Sequence, residues 1–180
     1  MEKENIIKIA VVGPESTGKS KLTKQLAESF ATGYVAEYAR SYFNEHSIDD
    51  YTLYDLEIIY REQLKLEAGA ITHAKQILFT DTALISGKVW ALEVFNQLPP
   101  VLSSASFSEN PYHFYLLCDI DLPWEKDEQR KNAHNREHLF NRHLEELKAI
   151  NAPYSVVRGF NEERLSNALN AVHAYLKTIA

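Results

Sequence analysis

A single cysteine, Cys118, stands among 180 residues, so no internal disulfide can form and a disulfide-stapled scaffold is excluded. It falls in the apolar run His113 to Cys118, where a small buried hydrophobe is expected. Long apolar runs are lacking too. No stretch approaches the roughly 18 uninterrupted apolar residues that a membrane-spanning helix requires, and the charged start, Met1 to Asn5, has no apolar signal segment behind it. No membrane partner is expected, and a cytoplasmic location is. Nor is there an excess of positive charge. Lys and Arg number 19 against 25 Asp and Glu, the formal net charge is -6, and the basic residues are scattered, which leaves no electrostatic footprint for nucleic acid. Neither an internal repeat nor a low-complexity tract is found.

What is present is an ordinary globular composition, 45% hydrophobic and 24% charged, in a length that fits one domain with a real core. Five short runs rich in β-branched or aromatic residues read as strands: Ile6 to Val12, Tyr34 to Ala36, Ile77 to Thr80, Phe114 to Cys118 and Tyr154 to Val157. Helical spacing lies between and after them, as in Leu22, Leu26 and Phe30, or Leu165, Leu169, Val172 and Leu176. Continuous apolar strands alternating with amphipathic helices imply an α/β three-layer fold, a mostly parallel five-stranded sheet covered on both faces. Pro99 and Pro100, followed by Ser103, Ser104, Ser106 and Ser108, read as a loop within one domain spanning 1–180.

The sharpest signal follows the first strand. Gly13-Pro14-Glu15-Ser16-Thr17-Gly18-Lys19-Ser20 satisfies G-x-x-x-x-G-K-[ST], and a helical pattern begins at once behind it. Glycines let successive backbone N–H groups turn onto phosphates, and the helix N-terminus adds its positive dipole end. Lys19 is expected to reach the β and γ phosphates of ATP, and Ser20 to offer a hydroxyl to Mg²⁺. Asp81, at the tip of the third strand and followed by Thr82, is a candidate second Mg²⁺ carboxylate. A cap for the next helix is the competing role. Glu37 ends the second strand, on the side where ligands bind in open α/β sheets, and there can accept the proton of an attacking hydroxyl. An ordinary surface ion pair with Arg40 is its alternative.

In order, the phosphate loop, Glu37-Tyr38-Ala39-Arg40, Asp81-Thr82, and Pro123-Trp124 with Asp127 and Arg130 resemble the ribosylnicotinamide kinase domain of bacterial NadR proteins and its AAA-type P-loop ATP-binding relatives. The resemblance covers roughly residues 6 to 160. It implies that Glu37 contacts the nucleoside hydroxyls, that Asp81 lies near Mg²⁺, and that Asp121 to Arg136 form a helical lid, about 121–137. Arg130 and Arg136 would then clamp the transferring phosphoryl group, and Arg158-Gly159 would border the adenine. Charge alone makes that lid segment equally a solvated helix. Two positions depart from the family pattern. Ala36 replaces the aromatic residue expected in some ribosylnicotinamide kinases to stack on the pyridinium ring, and Ala83 replaces a second acid. Tyr38, Tyr42, Trp90 or Trp124 could supply the cation–π contact instead, although aromatics at such spacing are more often core. Only 12 residues precede Gly13, so the adenylyltransferase activity of NadR proteins is not expected.

His134-Asn135-Arg136-Glu137-His138 also matches the inverted zinc-protease pattern H-x-x-E-H. No third ligand can be assigned to it, and zinc catalysis is not expected. The function expected is therefore ATP-dependent phosphoryl transfer to a hydroxyl of a small nucleoside-like acceptor, ribosylnicotinamide first. Lys19, Glu37, Asp81, Arg130 and Arg136 would be catalytic. Gly13, Glu15, Ser16, Thr17, Gly18, Ser20, Arg158 and Gly159 would bind ATP, and Tyr38, Arg40, Trp90 and Trp124 would join Glu37 around the acceptor. Other nucleoside or small-metabolite kinases and an ATP-binding switch protein are the alternatives. Homo-oligomerisation is compatible with the sequence.

Overall fold

The computed structural model describes residues 6–125 and 135–179. In chain order they form β1 (Ile7–Val12), α1 (Lys19–Ser29), β2 (Tyr34–Val35), α2 (Tyr38–Glu45), α3 (Leu53–Ile71), β3 (Ile77–Asp81), α4 (Leu84–Phe95), α5 (Ser104–Glu109), β4 (Phe114–Cys118), α6 (Arg136–Ala149), β5 (Tyr154–Val157) and α7 (Asn161–Ile179). The sheet order is β2-β3-β1-β4-β5. All four strand pairings are parallel, so the sheet is wholly and not mostly parallel. Every strand therefore ends on the same edge, and that edge receives Gly13, Glu37, Asp81 and Asp119 together.

Side-chain alternation along β1 divides the core. Ile9 and Val11 face α1 and α7, with Leu22, Leu26, Ala168 and Val172 packed against them. Ala10 and Val12 face the opposite layer, which includes Leu56, Ile59 and Tyr60 from α3, Leu84 and Ile85 from α4, and Leu147 from α6. Strands buried on both sides need apolar residues at consecutive positions, which is why β1 and β4 read as unbroken runs rather than as alternating ones. The phosphate loop leaves the middle strand, where neighbours on both sides hold it.

The stretch read as a loop around Pro99 to Ser108 is partly helical. Pro100–Leu102 form a 3-10 turn, and α5 follows from Ser104. Proline suits the first position of such a turn because its missing N–H has no partner there anyway. Ser103 then caps α5 by accepting from the Ser106 amide at 3.5 Å. None of the described helices is long and apolar enough to cross a membrane.

Helices α3 and α4 meet at Gly87, where an added Cβ would lie 2.5 Å from the Tyr60 ring. Tyr60 is only 2% exposed and has nowhere to move. Alanine normally favours a helix over glycine, yet here overpacking should outweigh propensity. Gly87→Ala is expected to cost about 1–3 kcal/mol, visible as a lower denaturation midpoint; a midpoint at or above that of the parent would show that α3 and α4 can part.

Candidate functional site

The phosphate loop is a backbone structure before it is a set of side chains. Gly13 has φ +133°, and a Cβ there would sit 2.8 Å from the Cys118 carbonyl oxygen, so the loop starts in direct backbone contact with β4. Gly18, at φ +75°, caps α1 without any side-chain acceptor on the helix amides. The uncapped N–H groups of the first turn are thus available to an anion. Within the loop, Thr17 Oγ1 donates to Pro14 O at 2.7 Å, and Lys19 Nζ donates to the same carbonyl at 2.7 Å. The lysine charge lies folded across the loop.

Glu37 occupies the cap position of α2, yet its carboxylate makes no capping bond. Loss of solvent raises its proton affinity, Lys19 opposes the rise, and the neighbouring Asp81 adds to it. Arg40 Nε lies 3.7 Å from Glu37 Oε2, a loose contact one helical turn away. Asp81 closes β3 and is 2% exposed. Burial raises it as well, while Lys19 and the facing Ser20 hydroxyl pull it down. Asp81 does not cap α4, whose cap residue is Ala83. Its buried Oδ1 finds no hydrogen-bond partner among the described residues. A buried, unpartnered carboxylate oxygen beside a hydroxyl is a donor set that suits Mg²⁺. Thr82, immediately after it, carries φ +96°, a costly conformation for a β-branched residue. Its amide still donates to Val11 O at 3.0 Å and so fixes the Asp81 end of the strand against β1.

A cavity of about 440 Å³ runs from Gly13 and Lys19, past Glu37 and Arg40, into an aromatic chamber of Phe43, Tyr51 and Trp90. Trp90 Nε1 donates to Tyr51 Oη at 2.7 Å. The Tyr51 and Phe43 rings lie 5.4 and 6.0 Å from the Trp90 ring, centroid to centroid. Helix α2 delivers Arg40 and Phe43 to the same side because they are three residues apart. Ser86, one turn before Trp90 on α4, and His143 of α6 also line the cavity. His143 Nδ1 lies 2.8 Å from Leu139 O, which places its N–H there and leaves Nε2 to accept from the Ser86 hydroxyl at 3.2 Å.

The structure thus brings Gly13, Glu15, Lys19, Glu37, Arg40 and Trp90 to one cavity, with Asp81 beside Lys19. Tyr38 and Trp124 are not among its lining residues. The Tyr38 amide instead donates to Gln63 Oε1 at 2.9 Å and anchors the start of α2. Trp124 precedes Glu125, whose amide donates to Ser16 Oγ at 2.7 Å, so this segment crosses the outside of the phosphate loop. Arg136 Nη2 donates to the carbonyls of Ser16, Ile120 and Leu122. Arg158 pairs with Asp119 at 2.6 Å, and the Gly159 amide donates to Asp121 Oδ2 at 2.7 Å. Asp127, Arg130, His134 and the middle of the expected lid lie outside the described residues. His138 contacts Glu93 at 2.8 Å, and no cluster of three metal-ligating side chains occurs among the described residues. Sequence reasoning missed Phe43, Tyr51, Ser86, His143 and Arg164. Only Phe43 had a usable signal, its helical spacing from Arg40.

A glycine-cradled anion site with an adjoining carboxylate pair, set on the edge of a wholly parallel sheet, defines a P-loop nucleotide-binding fold. The chain belongs to the AAA domain family, whose model matches residues 8–164. Among curated proteins it is similar to the trifunctional NAD biosynthesis/regulator protein NadR of Salmonella typhimurium strain LT2, 26% identical over 159 residues. That match covers 83% of this chain and 38% of the relative. NadR of Escherichia coli K12 is 26% identical over 126 residues, 66% of this chain and 30% of its own length. The chain therefore spans well under half of these relatives. Among solved structures, a NadR protein in complex with NR superposes with TM-score 0.83 at 21% identity, over 96% of this chain and 50% of that one. A deoxyadenosine kinase from M. mycoides gives TM-score 0.60 at 13% identity, over 93% and 99%. The fold is that of P-loop kinases.

Burial holds His143 neutral, with its pKa pushed down to about 4 from an ordinary 6.5. The folded chain then binds fewer protons than the unfolded chain between these values, so this contribution to stability is present above about pH 6.5 and is lost as pH falls towards 4. Glu37 and Asp81, both raised, act with the opposite sign. His143→Gln should flatten the acid limb of the stability profile by up to about 3 kcal/mol. Parallel profiles for parent and variant, measured by denaturant titration, would rule the effect out.

Proposed function

We propose that the chain transfers the γ phosphoryl group of ATP to a hydroxyl of a small nucleoside-like acceptor, with ribosylnicotinamide as the first candidate. One observation carries this reading: Lys19 of the phosphate loop, Glu37 and the aromatic residues Phe43, Tyr51 and Trp90 line a single cavity. A switch protein would need no such chamber. NadR proteins, one of them solved with NR bound, support the choice of acceptor.

In the reaction, the loop amides and Lys19 would hold the ATP phosphates. Ser20 and Asp81 would hold Mg²⁺, which neutralises charge on the β and γ oxygens as it does in P-loop enzymes generally. Glu37, with its raised proton affinity, is suited to accept the proton of the attacking hydroxyl and equally to anchor the ribose. Trp90, with Tyr51 and Phe43, would receive the base, and a pyridinium cation gains there from the aromatic faces. Arg40 lines the cavity beside Glu37 and would complement developing negative charge. ATP as donor fits a cytoplasmic setting.

The test incubates the protein with Mg-ATP and a panel of ribosides and deoxyribosides and detects phosphorylated products by mass. Ribosylnicotinamide should be converted. Glu37→Gln should lose at least about a hundredfold in kcat while still binding ATP, and Trp90→Ala should raise the acceptor KM with ATP binding kept. Absence of product from every nucleoside would end the nucleoside-kinase reading.

A further inference from the structure

Behind the phosphate loop, on the side away from the cavity, lies an arginine whose role nothing in the kinase chemistry assigns. Arg164 stands in the first turn of α7 and is 4% exposed. Its Nη2 donates to Thr17 O at 2.8 Å and Asp119 O at 3.0 Å. Its Nη1 donates to Asp121 Oδ1 at 2.6 Å and Gly159 O at 3.1 Å. Asp121 in turn accepts the Gly159 amide through its other oxygen at 2.7 Å. One planar group thus joins the phosphate loop to the segments that leave β4 and β5.

Peptide geometry gives this contact its meaning. When loop amides turn towards phosphates, the attached carbonyls turn into the protein, where an unpaired acceptor is costly. The Thr17 carbonyl meets a charge-assisted donor there instead. Nothing padded separates the two parts: a Cβ on Gly18 would stand 3.9 Å from Arg164 Nε and 2.9 Å from Leu122 Cδ1. Arg136 does the same for the neighbouring peptide, since its Nη2 lies 3.2 Å from Ser16 O. A fork of parallel donors can span two carbonyls and a carboxylate at once, which a single ammonium cannot.

We propose that Arg164 is a positioning residue of the phosphate site: it holds the Thr17–Gly18 peptide with the Gly18 amide available to phosphate and, through Asp121, locks the Gly159 segment to the same group. The proposal rests on the nucleotide-binding half of the function proposed above. Arg164 touches no substrate in this role and acts through the loop.

Calorimetric titration of the full chain with inorganic pyrophosphate, which probes the phosphate loop alone, and with Mg-ADP tests it. Arg164→Lys keeps the charge and removes the fork. Asp121→Ala removes the anchor at a partly exposed site and decides alone if the first variant does not fold. Each should raise the pyrophosphate Kd about tenfold through loss of charge-assisted bonds. The ATP KM should rise in step, with the acceptor KM changed less than about twofold. Variants that melt earlier yet bind pyrophosphate like the parent would overturn the proposal and leave Arg164 a packing residue. A parent chain that binds neither pyrophosphate nor Mg-ATP would instead remove the nucleotide reading, and this one with it.

Discussion

The molecule is organised around the contact between the Gly13 backbone and the Cys118 carbonyl, which allows no side chain between the phosphate loop and β4. An added Cβ would be 2.8 Å from that oxygen, and the residue has φ +133°, so sterics and backbone conformation both demand glycine. Because β1 is the middle strand, this one close approach seats the loop over β4 while β3 presents Asp81 on the other side. The parallel sheet is what makes the arrangement possible. Were any of these strands reversed, its carboxylate would emerge at the opposite edge.

Burial and the charge of Lys19 act against one another within the site. Loss of solvent raises both Glu37 and Asp81, the charge of Asp81 raises Glu37 further, and Lys19 opposes the rise in each. With its ammonium resting on Pro14 O, Lys19 lies where an arriving phosphate would compete with a neutral carbonyl for it. A neutral carbonyl is a weak rival for a phosphate oxygen, so the lysine is held ready at little cost. His143 adds no positive charge to this set because burial keeps it neutral.

Much of the sheet could be read from the chain, since buried parallel strands write themselves as apolar runs and G-x-x-x-x-G-K-[ST] needs no tertiary information. The strand limits differed by a residue at Ile6, Ala36 and Asp81, where apolar character and ladder geometry part company. Helix α3 was not read, although Thr52 and Asp55 form a full capping box at its start. The serine-rich stretch after Pro100 read as loop because serine favours turns and caps alike, and only the fold decides which. The aromatic chamber was legible in part. Trp90 could be singled out as a large aromatic, but its partner Tyr51 lies 39 residues away and meets it only through the packing of α4.

In the proposed reading, that chamber would let the acceptor side depart from the family pattern at Ala36 without losing an aromatic surface. Ala36 is exposed and offers no ring before Glu37. The aromatic surface comes instead from Phe43, in the second turn of α2, and from Trp90 and Tyr51 beyond it. Because Glu37 occupies the cap position of the helix that carries Phe43, one backbone body places both residues. The Gln63 bond to the Tyr38 amide fixes where that body starts. On the same reading, acceptor recognition would rest on α2 together with Tyr51 and Trp90, whereas phosphate binding would rest on the sheet edge and the loop.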